Sequence, residues 1–250
     1  MFVITEELLK LKNEFKRIKN MGYVKATRCG LTGIGKTFED LLGKEEDNLE
    51  APDYHGIEIK TKRGYSRCYT TLFGATPQGK KEFEIKRLRS AYGYPDSVYK
   101  NQKLLHASVQ ANCSTLVGNR FLFKLVVDYE QQKIFLLITD MYMNFIEKKS
   151  YWTFETLKTK LERKLQYLAL VKAWPNEING EMYYKYYDID FYKLKDFEEF
   201  IKLIEDGTIR ITFKIGIFKK GARAGELHDR GTSFEIQEID MYKLFDKIEV

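Results

Sequence analysis

Residues 56–62 read Gly-Ile-Glu-Ile-Lys-Thr-Lys, the most regular alternating segment of the chain. Apolar and charged side chains alternate in it, and alternate residues of a β-strand point to opposite faces of a sheet. The two isoleucines therefore face a core. Glu58, Lys60 and Lys62 share the other face, so the stretch predicts a half-buried strand with one charged side.

Helical and extended patterns alternate on both sides of this strand. Apolar residues recur at steps of three and four between residues 4 and 18, which predicts a helix capped by Thr5. A glycine-rich turn at 30–35 leads into a shorter helix over 37–42. Residues 44–52 have the composition of a loop.

The remaining patterns predict an α/β (α+β) fold with a mixed central β-sheet flanked by helices. A strand at 69–73 is expected to pair with the strand at 56–62. In the run Tyr183–Tyr187, Tyr184 and Tyr186 share one face and are expected to pack in a core. The other predicted elements are helices over 83–91, 153–166 and 194–204, a hairpin of 121–127 with 134–138, a buried strand at 167–173, and strands at 209–218 and 232–236.

Composition excludes several classes of protein. The chain has 250 residues, 44% hydrophobic and 31% charged, which is typical of a globular protein with one large domain or two lobes. Its three cysteines are widely spaced and form no zinc or disulfide pattern. No apolar run suits a signal peptide or a membrane span, so a cytoplasmic protein is expected. The net charge of +6 favours a polyanionic partner.

A candidate metal site surrounds the charged side of the 56–62 strand. Glu58 and Lys60 emerge on one face, and Asp53 in the preceding loop can converge on them. Two carboxylates supply the oxygen ligands that Mg²⁺ prefers, with Mn²⁺ as a substitute. A neighbouring lysine can orient or deprotonate an attacking water, so the set suits phosphodiester hydrolysis. Glu39, on the short helix, is a further carboxylate that can join it.

Other interpretations of these residues stay open at this point. The pattern Asp-x₄-Glu-x-Lys is short, and on an exposed strand Glu58 and Lys60 would simply be solvated. The run Gly33-x-Gly35-Lys36-Thr37 resembles the end of a P-loop but lacks its spacing and a preceding apolar strand. We interpret it as a helix N-terminus whose amides can hold a phosphate.

A basic segment near the C-terminus is a candidate surface for nucleic acid. Between residues 210 and 230, six basic residues stand against two acidic ones. Its central loop carries three cations, Lys219, Lys220 and Arg223. With nearby glycines they predict a flexible loop suited to a phosphate backbone. His228, Asp229 and Arg230 then offer donors and an acceptor that match base edges, although a solvated hairpin tip is the alternative.

A longer stretch around the 56–62 strand resembles a known family of enzymes. Its parts are Thr-Gly-Ile-Gly-Lys-Thr-Phe-Glu-Asp-Leu-Leu at 32–42, Glu-Glu-Asp-Asn-Leu at 45–49, Ala-Pro-Asp-Tyr-His at 51–55 and Ile-Glu-Ile-Lys-Thr at 57–61. They are similar to the catalytic region of the MvaI/BcnI family of type II restriction endonucleases, which is related to the mismatch-repair nickase MutH. The likeness continues in Tyr-Trp-Thr-Phe at 151–154 and in the stretch from 215 to 234.

The resemblance implies a PD-(D/E)xK nuclease fold that depends on Mg²⁺. By similarity, Asp53, Glu58 and Lys60 take the catalytic positions, Asp53 and Glu58 hold the metal, and Glu39 takes the position of an extra helix carboxylate. A monomer is implied that cuts double-stranded DNA at a short, CCNGG-like site. A cognate DNA methyltransferase is expected as a separate protein of the same prokaryotic system. A MutH-like nickase and a DNA-binding protein that does not cut are the alternatives.

The resemblance also implies that catalysis and DNA recognition belong to different lobes. Residues 1–150 are expected to form mainly the catalytic lobe and 151–250 mainly the recognition lobe, interwoven around a DNA-binding cleft. The residues expected to contact DNA are Lys36, Lys62, Arg63, Lys214, Lys219, Lys220, Arg223, His228, Asp229 and Arg230. Relatives tend to carry a second histidine where Arg230 stands and a basic residue near Glu235, so the target sequence is not transferred.

Overall fold

In the computed structural model, which describes residues 2–30, 32–43, 52–64, 69–78 and 82–250, the chain divides into two units. The first unit comprises Met1–Arg67, Glu162–Lys195 and Phe245–Val250, and the second comprises Cys68–Leu161 and Asp196–Leu244. The units are interwoven in sequence, but the division does not follow the predicted boundary at residue 150. The segment from 162 to 195 joins the first unit because its strands complete the sheet that contains residues 57–63.

The secondary-structure elements are numbered in chain order. The helices are α1 (Phe2–Asn20), α2 (Gly33–Leu41), α3 (Glu82–Tyr92), α4 (Phe154–Leu165), α5 (Phe197–Glu205) and α6 (Met241–Leu244), with a 3-10 turn over Glu238–Asp240. The strands are β1 (Tyr23–Lys25), β2 (Ile57–Arg63), β3 (Tyr69–Gly74), β4 (Tyr94–Pro95), β5 (Lys103–Val109), β6 (Thr115–Val117), β7 (Phe121–Asp128), β8 (Lys133–Asp140), β9 (Phe145–Glu147), β10 (Tyr151–Thr153), β11 (Tyr167–Ile178), β12 (Glu181–Leu194), β13 (Arg210–Ile217), β14 (Leu227–Gln237) and β15 (Phe245–Ile248).

The first unit is built on a mixed sheet in the order β1-β12-β11-β2, with β15 also paired to β12. β2 runs parallel to β11, whereas the other pairs are antiparallel. Helices α1 and α2 bury their apolar side chains against one face of this sheet. The core includes Leu8, Leu11, Phe15, Ile18, Ile34, Phe38, Ile57, Ile59, Val171, Tyr184 and Tyr186. The predicted mixed sheet flanked by helices is confirmed.

Two corrections concern the helices of this unit. α1 begins at Phe2, so Thr5 lies within the helix and is not its cap. α2 begins at Gly33, earlier than predicted, because the glycines serve close packing rather than a turn. A Cβ atom on Gly33 would stand 2.2 Å from the carbonyl oxygen of Arg28, and one on Gly35 would stand 3.1 Å from Thr61 Oγ1. Of the predicted loop over 44–52, residues 44–51 lie outside the described residues.

The predicted partner of the 56–62 strand is wrong. β3 pairs with β14 in the second unit, and the neighbour of β2 is β11, more than one hundred residues later in the chain. Two strands that are close in sequence often form a hairpin. Ile57 and Ile59 of β2, however, are buried in the core of the first unit together with residues of α1, α2, β11 and β12. The sheet pairing therefore follows the core rather than the chain order.

The second unit contains two antiparallel sheets, β10-β8-β7-β6 with β9 on β8, and β3-β14-β13-β5-β4. The predicted hairpin is confirmed as β7 and β8, with Val127 opposite Ile134. β14 begins at Leu227, earlier than predicted, so residues 228–230 lie on a strand. Among the residues described, no helix is both long and apolar enough to span a membrane.

The paired tyrosines of β12 generate a stability prediction. Both Tyr184 and Tyr186 are fully buried, as the sequence predicted. The Tyr186 hydroxyl donates to the carbonyl of Ile34 at 2.7 Å. The Tyr184 hydroxyl is buried and has no hydrogen-bond partner in the part of the chain that the structure describes. Tyr186→Phe should lower the free energy of unfolding by about 1 kcal/mol. Tyr184→Phe is the matched control and should leave it unchanged or raise it. Urea denaturation measures both, and equal losses would contradict the assignment.

Candidate active site

The register of β2 places its charged residues on the side away from α1 and α2. Glu58 lies opposite Leu168 of β11, and Lys60 lies opposite Leu170. Both leucines are buried, and the exposed fraction of Glu58 is only 1%. The interpretation of Glu58 as a solvated surface residue is therefore wrong, because this face of the sheet is covered as well.

Glu58 is a buried carboxylate held by two lysines through one of its oxygens. Its Oε1 atom accepts from the ammonium of Lys60 and lies 3.5 Å from Nζ of Lys164, in the last turn of α4. Its other oxygen, Oε2, is buried and has no hydrogen-bond partner among the described residues. Burial raises the pKa of Glu58, and the charge of Lys60 works against this shift.

Asp53 joins this group from the turn that precedes β2. Tyr54 and Ile57 exchange backbone hydrogen bonds of 2.9 and 2.7 Å, which closes a turn through Gly56 at φ +88°. The turn brings Oδ2 of Asp53 within 3.0 Å of the amide of Ile59, which donates to it. Asp53 is also close enough for its charge to raise the pKa of Glu58. The structure thus brings Asp53 and Glu58 to one place.

Glu39 lies on α2, which packs against the other face of β2. Its carboxylate oxygen is 3.9 Å from the position that a Cβ atom on Gly35 would take, and Thr61 Oγ1 is 3.1 Å from the same position. Thr61 alternates with Lys60 and belongs to the face of β2 that α2 covers. In the part of the chain that the structure describes, no three His, Cys, Asp or Glu residues converge as a metal-binding set. The expected participation of Glu39 in the site stays a prediction.

The two remaining carboxylates fit a hard divalent cation. A buried polar atom without a hydrogen bond is rare in proteins, and an ion is one of its ordinary explanations. Oε2 of Glu58 is such an atom, and it belongs to a residue whose other oxygen is already paired with two ammonium groups. Oxygen donors of this kind suit Mg²⁺ or Mn²⁺.

Lys164 is a residue of this site that the sequence did not indicate. Its neighbours in α4 follow the apolar spacing of Leu157, Leu161 and Leu165, and a lysine in a last helical turn is ordinary. Only the pairing of β11 with β2 carries the end of α4 over Glu58. No local signal could have found it, because the contact spans more than one hundred residues.

The three cations predicted near the metal site have different surroundings. Lys62 is buried on the Glu58 side of β2, opposite Lys172. Arg63 alternates to the other side, where it lines a pocket with Lys25 and Cys29. Lys36 pairs with Asp40 along α2 at 2.7 Å. Lys62 and Arg63 therefore lie on opposite faces of β2, and the expected contacts of these three cations with DNA stay predictions.

The basic loop of the second unit is anchored to its own unit. The Lys219 ammonium pairs with the buried carboxylate of Asp96, which holds the pKa of Asp96 at about 2. Gln102 donates to the carbonyl of Gly225 at the other end of the loop. Lys219 thus fixes the loop in place, whereas Lys220 is exposed at its tip. These contacts anchor both ends of the loop, and its expected flexibility stays a prediction.

Three of the predicted DNA contacts form one stacked cluster around Phe218. The Arg223 guanidinium lies 4.3 Å from the centroid of the Phe218 ring, and the His228 ring stacks on the Phe218 ring with 3.9 Å between centroids. Nε of Arg230 donates to Nε2 of His228 at 2.9 Å. Partial burial and then the charges of Arg230 and Arg223 lower the pKa of His228. Neutral His228 therefore keeps its other ring nitrogen as a donor.

Asp229 and His106 lie on two strands of the same sheet, β14 and β5. Oδ1 of Asp229 accepts from the amide of Gly231 at 2.7 Å, so one carboxylate oxygen shapes the local backbone. His106, which had no context in the sequence, is exposed on β5 directly opposite Lys214 of β13. Polar residues of this sheet are therefore found on β5 as well as on the basic segment between residues 210 and 230.

Comparison with known proteins gives consistent results. The chain matches the MvaI/BcnI restriction endonuclease family over residues 12–245. It is similar to the solved complex of restriction endonuclease MvaI with its cognate DNA substrate, with 34% identity over 97% of this chain and 98% of that chain and a TM-score of 0.90. Restriction endonuclease MvaI in the absence of DNA is 34% identical over 97% of both chains, with a TM-score of 0.61. No curated protein sequence matches.

Fold, site and comparisons together define a site-specific DNA nuclease. The chain belongs to the MvaI/BcnI restriction endonuclease family. The resemblance seen in the sequence is confirmed over most of the chain, whereas the roles of individual residues stay predictions.

Lys164 gives a direct test of how Glu58 is held. Lys164→Met removes one of the two cations at Oε1 and should slow DNA cleavage by about 10- to 100-fold, because partners that orient a site residue typically contribute this much. Single-turnover plasmid cleavage measures the rate. Lys158→Met, on an exposed position of the same helix, is the control. Equal rates for the two variants would show that Lys164 does not support the site.

Proposed function

We propose that this restriction endonuclease hydrolyses double-stranded DNA with Mg²⁺ held by Asp53 and Glu58. The observation that carries the proposal is the buried Glu58 carboxylate, with one oxygen paired to two lysines and the other without a partner. A structural glutamate would satisfy both oxygens within the protein. A buried carboxylate with one oxygen left for a further partner is suited to binding a cation.

The residues of the chain have separate tasks in this proposal. A bound Mg²⁺ would supply positive charge to the phosphate and acidify a bound water. Glu58 and Asp53 would hold that charge in place. Lys60, two residues from Glu58 on the same face of β2, would steady the phosphate and orient the attacking water. Lys164, 3.5 Å from the same oxygen of Glu58, would help to keep this carboxylate in position.

The second unit is proposed to supply sequence recognition. Restriction endonuclease MvaI has been solved with its cognate DNA substrate, and this chain aligns with almost all of it. Donors and acceptors of the β13–β14 hairpin, His228 and Arg230 among them, suit base edges in a major groove. We propose a short, CCNGG-like target. Arg223 and the exposed Lys220 suit phosphate contacts.

A monomer with one active site is the proposed working form. One such site must cut the two strands in turn, so a nicked duplex is expected as an intermediate. A cognate DNA methyltransferase is proposed to act separately in the same system. No observation favours a MutH-like nickase or a protein that binds without cutting.

Purified protein incubated with supercoiled plasmid and Mg²⁺ tests the proposal. Nicked and then linear DNA should appear, and sequencing the fragment ends should give one short target. Asp53→Ala and Lys60→Ala should slow cleavage by about a hundredfold or more, because they remove groups that act on the reacting phosphate. Their binding of duplex DNA in EDTA should stay close to that of the parent.

Matched controls are Asp246→Ala and Lys193→Ala, which remove exposed charges of the same unit. Cleavage without a divalent cation, or full activity of Asp53→Ala, would refute the proposed chemistry. Linear product without a nicked intermediate would contradict the proposal that a monomer cuts the two strands in turn.

A further inference from the structure

A second buried glutamate, Glu235 of β14, lies on the polar side of the β13–β14 sheet. Its exposed fraction is 4%, yet both its oxygens are fully engaged. Oε2 accepts from Nε and Nη2 of Arg210 at 3.0 and 2.9 Å and from the Thr212 hydroxyl at 2.9 Å. Oε1 accepts from the Ser233 hydroxyl at 2.9 Å and lies 2.6 Å from Nζ of Lys214.

The network spans four strands of one sheet. Thr212 also bonds Ser108 of β5 at 3.0 Å, and Lys214 reaches Thr71 of β3 at 3.4 Å. Burial alone would raise the pKa of Glu235, but the hydrogen bonds from Lys214 and its neighbours outweigh burial and lower it. The carboxylate is therefore ionised and fixed. A buried polar network with every member satisfied specifies one arrangement of its side chains.

The two cations held by Glu235 are not equivalent. The Arg210 guanidinium lies 3.4 Å from the centroid of the Tyr69 ring and binds Glu235 through two nitrogens, so the orientation of its plane is fixed by two neighbours. The Lys214 ammonium donates to Thr71 and lies against Glu235, which leaves one further N–H donor. Its side chain is 29% exposed, against 25% for Arg210, and lies opposite the exposed His106. Of the two cations, Lys214 is the more exposed one.

We propose that Glu235 is a positioning residue for sequence readout, which holds the Lys214 ammonium as a fixed donor to the acceptor edge of a guanine. This inference rests on the proposed recognition role of the second unit. A lysine on a long flexible stem discriminates poorly, because it can follow any acceptor. A lysine held by a buried carboxylate at 2.6 Å and by the Thr71 hydroxyl at 3.4 Å offers its remaining N–H donor at one place.

Glu235→Gln tests the proposal by sequence preference. The amide oxygen should turn toward the three donors at Oε2, which leaves the amide NH₂ group facing the Lys214 ammonium and displaces it. Cleavage of a duplex library with randomised positions measures preference at each base pair. Discrimination should fall by roughly fivefold or more at one base pair and stay unchanged at the others.

Glu84→Gln is the matched control. Glu84 is a buried glutamate of the same unit that also accepts from an arginine and a serine, Arg87 and Ser150. Both variants should lower the unfolding temperature, but Glu84→Gln should keep the preference profile of the parent. A parent-like profile for Glu235→Gln would overturn the inference. A parent protein without any sequence preference would instead overturn the proposed function, and this inference with it.

Lys214→Gln keeps the inference testable if Glu235→Gln does not fold. It removes a partly exposed side chain and leaves the carboxylate paired with Arg210. Discrimination should be lost at a single base pair. A uniform loss of activity on every sequence would identify a phosphate contact and would overturn the inference.

Discussion

The parallel pairing of β2 with β11 is the constraint on which the site depends. It sets Glu58 against buried Leu168, so the glutamate is taken out of water. It also brings the end of α4, which leads directly into β11, close enough for Lys164 to reach Glu58. Without this pairing, Asp53, Glu58 and Lys60 would be an exposed sequence pattern with no reason to bind a cation.

Two buried glutamates show opposite ways of using a carboxylate. In Glu235 five donor atoms occupy both oxygens, so the group is complete and can only hold its partners. In Glu58 both lysines meet at one oxygen and the other has no partner. The first arrangement favours fixed geometry for recognition. The second favours binding of an additional charge, because a buried carboxylate oxygen without a hydrogen bond is costly.

The sequence was informative where function depends on local alternation. The strand at 57–63, the buried Tyr184 and Tyr186, and the approach of Asp53 to Glu58 all follow from neighbouring residues. It failed where the contacts cross the chain. Lys164, the Glu235 network and the partner of β2 depend on distant pairing. The glycines at 33 and 35 suggested a turn, because the sequence does not show that Arg28 and Thr61 pack against them.

We propose that Glu58 and Asp53, and not Glu39, bind the divalent cation. Titration with Mn²⁺ followed by electron paramagnetic resonance measures Mn²⁺ binding directly for the parent, Glu58→Gln and Glu39→Gln. Glu58→Gln should weaken Mn²⁺ binding by more than the roughly tenfold that loss of a supporting contact costs. Glu39→Gln should bind Mn²⁺ like the parent. Unchanged Mn²⁺ affinity in Glu58→Gln would show that Glu58 does not hold the cation.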